Sequence, residues 1–277
     1  MIHSSKICVV ISCLLGLFVG MRQADASYVF ADPTGFSSQA TGTPSTYNFR
    51  GTGDLSVNVA VKGSNISWGT STVNFTGAGL SNPAWMGGSR QMFKIEYSGS
   101  SSDGPHELAE IEFTFANPLS TSSYMLFTDF DSYEGLAIAA FDGSNNLIPF
   151  SDLTLTRVDG EEPTASTATT PTWSNTNPTQ GWTSVSSNTG WVGTSAVSGY
   201  LQDTTNDSTN NAGTAIRSAT AISRLVFYYN AESTSGTGSN SLRFNFAAPA
   251  PGTVPEPASA SVFSLLFLAG LAAYRRR

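Results

Sequence analysis

Leu55-Ser56-Val57-Asn58-Val59-Ala60-Val61-Lys62 alternates larger apolar side chains with small or polar ones along its whole length. In an extended chain successive side chains point to opposite faces. Leu55, Val57, Val59 and Val61 therefore share one face, and Ser56, Asn58, Ala60 and Lys62 share the other. Valine, branched at Cβ, fits a pleated half-buried surface, so composition agrees with periodicity. The same reading applies to Phe93, Ile95 and Tyr97, which alternate with Met92, Lys94 and Glu96. It applies again to Ile111, Phe113 and Phe115, interleaved with Glu110, Glu112 and Thr114. Tyr124–Phe130, Leu136–Phe141, Leu153–Val158, Leu225–Tyr229 and Leu242–Phe246 are further candidate strands. No stretch of the central region keeps a 3.6-residue apolar period for three turns.

Short strands, each with one apolar face, must bury those faces against one another. Residues 27–246 are accordingly expected to be all-β: an antiparallel β-sandwich of jelly-roll type. Ser98-Gly99, Asn117-Pro118, Asp142-Gly143 and Asp159-Gly160 punctuate the strands. Residues 161–213 form a Ser/Thr/Asn-rich excursion with too few aliphatic residues for a core of their own. Ala247 to Thr253 (Ala-Ala-Pro-Ala-Pro-Gly-Thr) reads as a short stiff linker.

Both ends of the chain carry targeting chemistry. Met1 to Lys6 is a short polar segment with one lysine, and Ile7 to Gly20 is apolar but short for a spanning helix. Ala24 and Ala26 are the small residues that signal peptidase requires, so residues 1–26 read as a signal peptide cut before Ser27. At the other end, Val254-Pro255-Glu256-Pro257 precedes an apolar run from Ala258 to Tyr274, followed by Arg275-Arg276-Arg277. As a helix, that run spans about 26 Å, enough to cross a bilayer's hydrocarbon core. The three arginines would hold its far end in the cytoplasm.

A Pro-Glu-Pro box, one short apolar helix and a basic cluster in that order resemble the PEP-CTERM sorting signal of bacterial surface proteins. The resemblance is confined to residues 254–277. It implies recognition by an exosortase, a membrane protease-transferase acting near the box, with Val254, Pro255, Glu256 and Pro257 as the sorting motif. It also implies a transient inner-membrane anchor over 258–274, orientation by Arg275, Arg276 and Arg277, and delivery to the cell envelope, outer surface or exopolysaccharide matrix.

Cys8 and Cys13 both lie in the signal peptide, so the mature chain is expected to hold no disulfide. A chain of this length can build a core without one. Between Ser27 and Thr253, 8 Lys and Arg face 18 Asp and Glu, a net charge of −10. Such a balance argues against nucleic acid and anionic membrane surfaces as partners.

The same stretch has one histidine, His106, in the turn-rich Ser102-Asp103-Gly104-Pro105-His106-Glu107, and no Gly-x-Ser-x-Gly elbow. Zinc sites of several imidazoles or thiolates and cysteine nucleophiles are thereby excluded. Glu110 and Glu112, two apart on a strand, stand roughly 6–7 Å apart on one face, near the spacing of glycosidase acid pairs. Jelly-roll glucanases use Glu-x-Asp-x-Glu; here Glu110-Ile111-Glu112-Phe113-Thr114 ends in Thr where the second acid belongs. The favoured reading of the pair is the polar face of an amphipathic strand, with a glycosidase as the alternative.

Asp129, Asp131 and Glu134 fall within six residues and are the candidate oxygen ligands for a structural Ca²⁺, the only cofactor weighed; otherwise they form a polar turn. Trp173, Trp182 and Trp191 recur at intervals of nine. They either pin the excursion to the sandwich or stack on sugar rings of an exopolysaccharide. The body is expected to be non-enzymatic, structural or adhesive, with a carbohydrate-binding module as the alternative.

Overall fold

The computed structural model describes residues 28–62, 65–74, 89–100, 107–128, 134–158, 172–175, 197–202, 213–231 and 237–250. Among the described residues fourteen strands run in chain order: β1 (Tyr28–Phe30), β2 (Ser45–Tyr47), β3 (Leu55–Lys62), β4 (Ile66–Asn74), β5 (Ser89–Ser100), β6 (Glu107–Leu119), β7 (Tyr124–Thr128), β8 (Glu134–Phe141), β9 (Leu153–Val158), β10 (Thr172–Ser174), β11 (Gly199–Gln202), β12 (Gly213–Ser218), β13 (Ile222–Ala231) and β14 (Thr237–Pro249). They form two sheets. Sheet A has the order β4-β5-β14-β7-β12-β9, with β1 also paired to β14; sheet B has the order β10-β11-β8-β13-β6-β3-β2. The described residues are thus all-β in two antiparallel sheets, as the alternation predicts. From β5 to β14 each successive strand changes sheet, except where β10 pairs with β11.

Each alternating run turns its apolar face inward. Leu55, Val57 and Val59 from β3, Ile111 and Phe113 from β6, and Phe93 and Ile95 from β5 are fully buried in one shared core. Phenylalanine dominates where the sheets meet. The Phe113 ring of sheet B lies 5.5 Å from Phe244 and 5.0 Å from Phe246 of sheet A, both edge-on. Phe227 lies 5.5 Å from Phe244 and 5.3 Å from Phe127. Edge-on and offset contacts of this kind add stability beyond area burial, because a ring's positive rim meets its neighbour's negative face.

Two features depart from simple alternation. The outward faces are partly apolar: Met92, Leu126, Ala215 and Ala247 form a buried cluster on sheet A, and Ala137, Ala139, Val226 and Tyr228 form another on sheet B. In addition, the excursion supplies sheet strands. β11 pairs with β8, and its Leu201 is fully buried in the shared core. A single leucine gives too little pattern to mark a strand from sequence.

Asn245 organises the middle of sheet A. Below it, β14 pairs with β5 as far as Phe244↔Phe93; above it, β1 is the neighbour, with the Ala31 amide donating to the Phe246 carbonyl. Buried where one neighbour gives way to the other, the Asn245 side chain bonds both. Its Oδ1 accepts from the amides of Ala31 (3.1 Å) and Phe246 (2.6 Å), while Nδ2 donates to the carbonyls of Ala31 (3.1 Å) and Gln91 (2.6 Å). A carboxamide, with donors and an acceptor side by side, suits such a fork.

Residues Tyr28–Ala248 make one compact unit. The expected signal peptide, including Ala24, Ala26 and Ser27, and the sorting tail, including Val254, Pro255, Glu256, Pro257, Arg275, Arg276 and Arg277, lie outside the described residues.

Candidate functional site

The Glu110–Glu112 strand lies in the middle of sheet B, between β3 and β13. Because Ile111 and Phe113 face the core, both glutamates are at outward positions: Glu110 opposite Ala60 and Tyr228, Glu112 opposite Asn58 and Val226. Glu112 is not isolated. Its Oε2 lies 3.4 Å from Nη1 of Arg224, whose guanidinium stacks 3.7 Å from the Phe141 ring centroid. The same guanidinium donates to Asn145 Oδ1 through Nε (3.2 Å) and Nη2 (2.9 Å). Asn145, at φ 61°, holds the left-handed conformation that asparagine tolerates. Glu112 and Arg224 therefore tie the turn after β8 to the outward face of sheet B.

That turn, Asp142-Gly143-Ser144-Asn145-Asn146, falls at the Asp142-Gly143 break between strands expected from sequence and is closed by a Phe141–Leu147 bridge. The Asp142 carboxylate accepts from the amides of Ser144 and Asn146 at 2.8 Å each, and from Asn146 Nδ2 at 3.1 Å. The Asn146 side chain, then its amide, hold the Asp142 carboxyl below its ordinary value, with the Ser144 amide adding to them against a small burial effect. Because the folded pKa is the lower one, the turn's contribution is complete above the ordinary carboxylate range and is lost as pH falls through the folded value. In an NMR titration Asp142 is expected to protonate below the ordinary aspartate value. Protonation at an ordinary value would show that these bonds do not persist in solution.

On the outward face of sheet A the described side chains gather rings and guanidinium groups at the β1 end. Tyr28 and Phe30, two apart on β1, pack on the Met92–Leu126–Ala247 cluster together with Tyr124 of β7. The rings of Tyr28 and Tyr124 lie 5.9 Å apart, tilted by 52°. Ala247, the β14 partner of Tyr124, carries only a methyl group beside them. Arg90 of β5 lies over Phe30, 4.7 Å from its centroid. At the other end, exposed Arg217 of β12 donates through Nε to the Thr121 carbonyl at 2.5 Å. The Tyr28 hydroxyl donates to the Ser122 carbonyl at 3.1 Å. Burial pushes its pKa up, as does neighbouring Tyr124, while Arg217 pulls it down. All three rings are half-buried.

The other sequence-derived candidates are not brought together among the described residues. Trp173 lies on β10 at the edge of sheet B, paired in register with Leu201. Trp182, Trp191, Asp129, Asp131 and His106 lie outside the described residues. Glu134 opens β8, opposite Ala231. Among the described residues no cluster of three His, Cys, Asp or Glu could hold a metal ion, and no helix is long and apolar enough to cross a membrane. The ring-and-arginine row on sheet A escapes a sequence reading, because its members are scattered from Tyr28 to Arg217 and only strand pairing makes them neighbours. No protein-family model, curated protein or solved structure matches the chain.

Proposed function

We propose that the chain is an exported protein sorted through a PEP-CTERM tail to the cell envelope or extracellular matrix, where its β-sandwich acts as a non-enzymatic structural or adhesive body. The observation that carries this reading is the order within residues 254–277: Pro255-Glu256-Pro257, then the apolar run Ala258–Tyr274, then Arg275-Arg276-Arg277. An apolar helix is drawn into the bilayer, and guanidinium groups at its end resist crossing. The helix thus acts as a temporary anchor while an exosortase works near the box.

Two further observations support it. The first strand starts at Tyr28, so a cut between Ala26 and Ser27 leaves every described strand intact. The body holds no cysteine, so its fold does not depend on an oxidising or reducing compartment. The strand order also supports the jelly-roll reading. β6-β13-β8-β11 in one sheet and β7-β12-β9 in the other is the order produced when a folded-over chain winds alternately through two sheets.

Replacing Arg275, Arg276 and Arg277 together by glutamate is expected to leave unprocessed precursor and to deplete the protein from the outer surface. Immunoblotting of cell fractions measures both. Normal processing of that variant would overturn the proposal. Intact mass of the native protein is expected to begin at Ser27 and to lack the apolar segment.

A further inference from the structure

Half of the eight lysines and arginines between Ser27 and Thr253 occupy outward positions on sheet A: Arg90 and Lys94 on β5, Arg217 on β12 and Arg243 on β14. Lys94 and Arg243 are direct cross-strand partners, an arrangement of like charges that costs stability by itself. Among the described residues of sheet A, Glu96 is the carboxylate on this face, bonded to Lys94 at 2.9 Å. Among the described residues, the outward positions of sheet A thus carry the sign opposite to the body's net charge of −10.

On that face the Arg90–Phe30 contact and the Tyr28–Tyr124 pair lead on to Arg217, which bonds the Thr121 carbonyl next to the Ser122 carbonyl that holds the Tyr28 hydroxyl. From β1 to β12 the arrangement crosses three strand spacings, about 14 Å. Half-exposed rings offer flat apolar surface on which the C–H face of a pyranose can stack. A guanidinium adds a planar fork of donors that matches a carboxylate's two oxygens. A pyranose polymer bearing carboxylates satisfies both demands. Neutral glycans leave the arginines unused, and a compact anion leaves the rings unused.

We propose that this outward face of sheet A, over Tyr28, Phe30 and Tyr124 between Arg90 and Arg217, binds an acidic polysaccharide of the uronate type. The proposal rests on the exported, adhesive reading for where the glycan is met, though binding itself needs no sorting.

Affinity electrophoresis of the full chain in mild detergent, with polygalacturonate in the gel, tests it. Retardation by polygalacturonate and none by neutral dextran is expected. Replacing Arg90 and Arg217 together by glutamine should weaken binding at least tenfold with the thermal midpoint unchanged. Tyr124→Leu should weaken it severalfold. If the double variant is less stable, Arg217→Gln alone, at an exposed position, carries the test. No retardation of the parent chain overturns the proposal, as does retardation undiminished in the arginine variants. Equal retardation by dextran sulfate or by DNA also overturns it, because charge alone would then explain binding. Correct sorting with no glycan retardation would sink this inference only. Retardation by polygalacturonate in a chain that is never sorted would sink the sorting proposal only.

Discussion

Replacing Asn245 by leucine is expected to lower the free energy of unfolding by about 4 kcal/mol, a loss large for one polar side chain. The size follows from what the substitution strands. Leucine has asparagine's branched shape with the same number of side-chain heavy atoms, so the site stays filled, but the Ala31 and Gln91 carbonyls lose their Nδ2 donors and the Ala31 and Phe246 amides each lose the Oδ1 acceptor, the Ala31 amide keeping only its longer bond to the Phe246 carbonyl. Each buried polar group left unsatisfied costs about 1–3 kcal/mol, and here they sit side by side in a fully buried site. Urea denaturation measures the change. Hydrogen exchange adds a local readout, because β1 should lose protection before the rest of sheet A. A loss under about 1 kcal/mol would show that the fork is held by other contacts. Asn245→Asp makes a sharper companion. It removes both Nδ2 donors and places a carboxylate opposite two carbonyls, so its folded pKa must lie above the unfolded one. Stability of that variant should therefore recover as pH falls and worsen as pH rises.

Phe244→Ala is expected to cost about 3–5 kcal/mol, the range for removing a buried ring where neighbours cannot collapse inward. Phe244 stacks on Phe93 at 5.3 Å with the planes 8° apart, and lies edge-on to Phe113 and Phe227 at 5.5 Å each. Phe36 adds a fourth ring at 6.3 Å. These neighbours come from both sheets and from the segment before β2, so a cavity here loosens three parts of the fold at once. Phe244→Leu keeps most of the volume and should cost distinctly less. Thermal unfolding of the two variants distinguishes them. Equal small losses would mean that the rings repack freely and that the inner faces are not close-packed.

Eight of the fourteen described strands are legible from residues alone, and the reason is common to them. β3, β5, β6 and β14 carry runs such as Phe93-x-Ile95-x-Tyr97, long enough for period two to stand out. β1, β2 and β10 have three residues each, too few to show any period. β4, Ile66-Ser67-Trp68-Gly69-Thr70-Ser71-Thr72-Val73-Asn74, is diluted by Ser, Thr and Gly because it lies at the edge of sheet A. Half-exposed edges tolerate polar residues on both faces. β11 is hidden in the Ser/Thr/Asn-rich excursion, although Leu201 reaches the core.

The candidate sites divide the same way. Glu110 and Glu112 are recognisable as two carboxylates on one face, but their partners are not. Arg224 is more than a hundred residues away in sequence, and only the β6–β13 register brings it to Glu112. Asn245 is still less visible. Between Phe244 and Phe246 it reads as an ordinary outward polar residue, whereas the arrival of β1 turns its position into a buried fork.

Sequence by itself determined the class of the fold, the absence of cysteine chemistry from the body, the inward set of phenylalanines and the Asp142 turn. Each depends on neighbours along the chain: periodicity of two, residue inventory, or bonds within five residues. The tertiary structure alone decided which sheet each strand joins, that outward positions such as Met92 and Leu126 are buried, and that Tyr28, Tyr124, Arg90 and Arg217 share one face. Those outcomes depend on strand register between distant segments. Pairing energies of many backbone bonds are nearly the same for any partner, so local pattern cannot choose among them; the shared core does, once all the apolar faces must close at the same time.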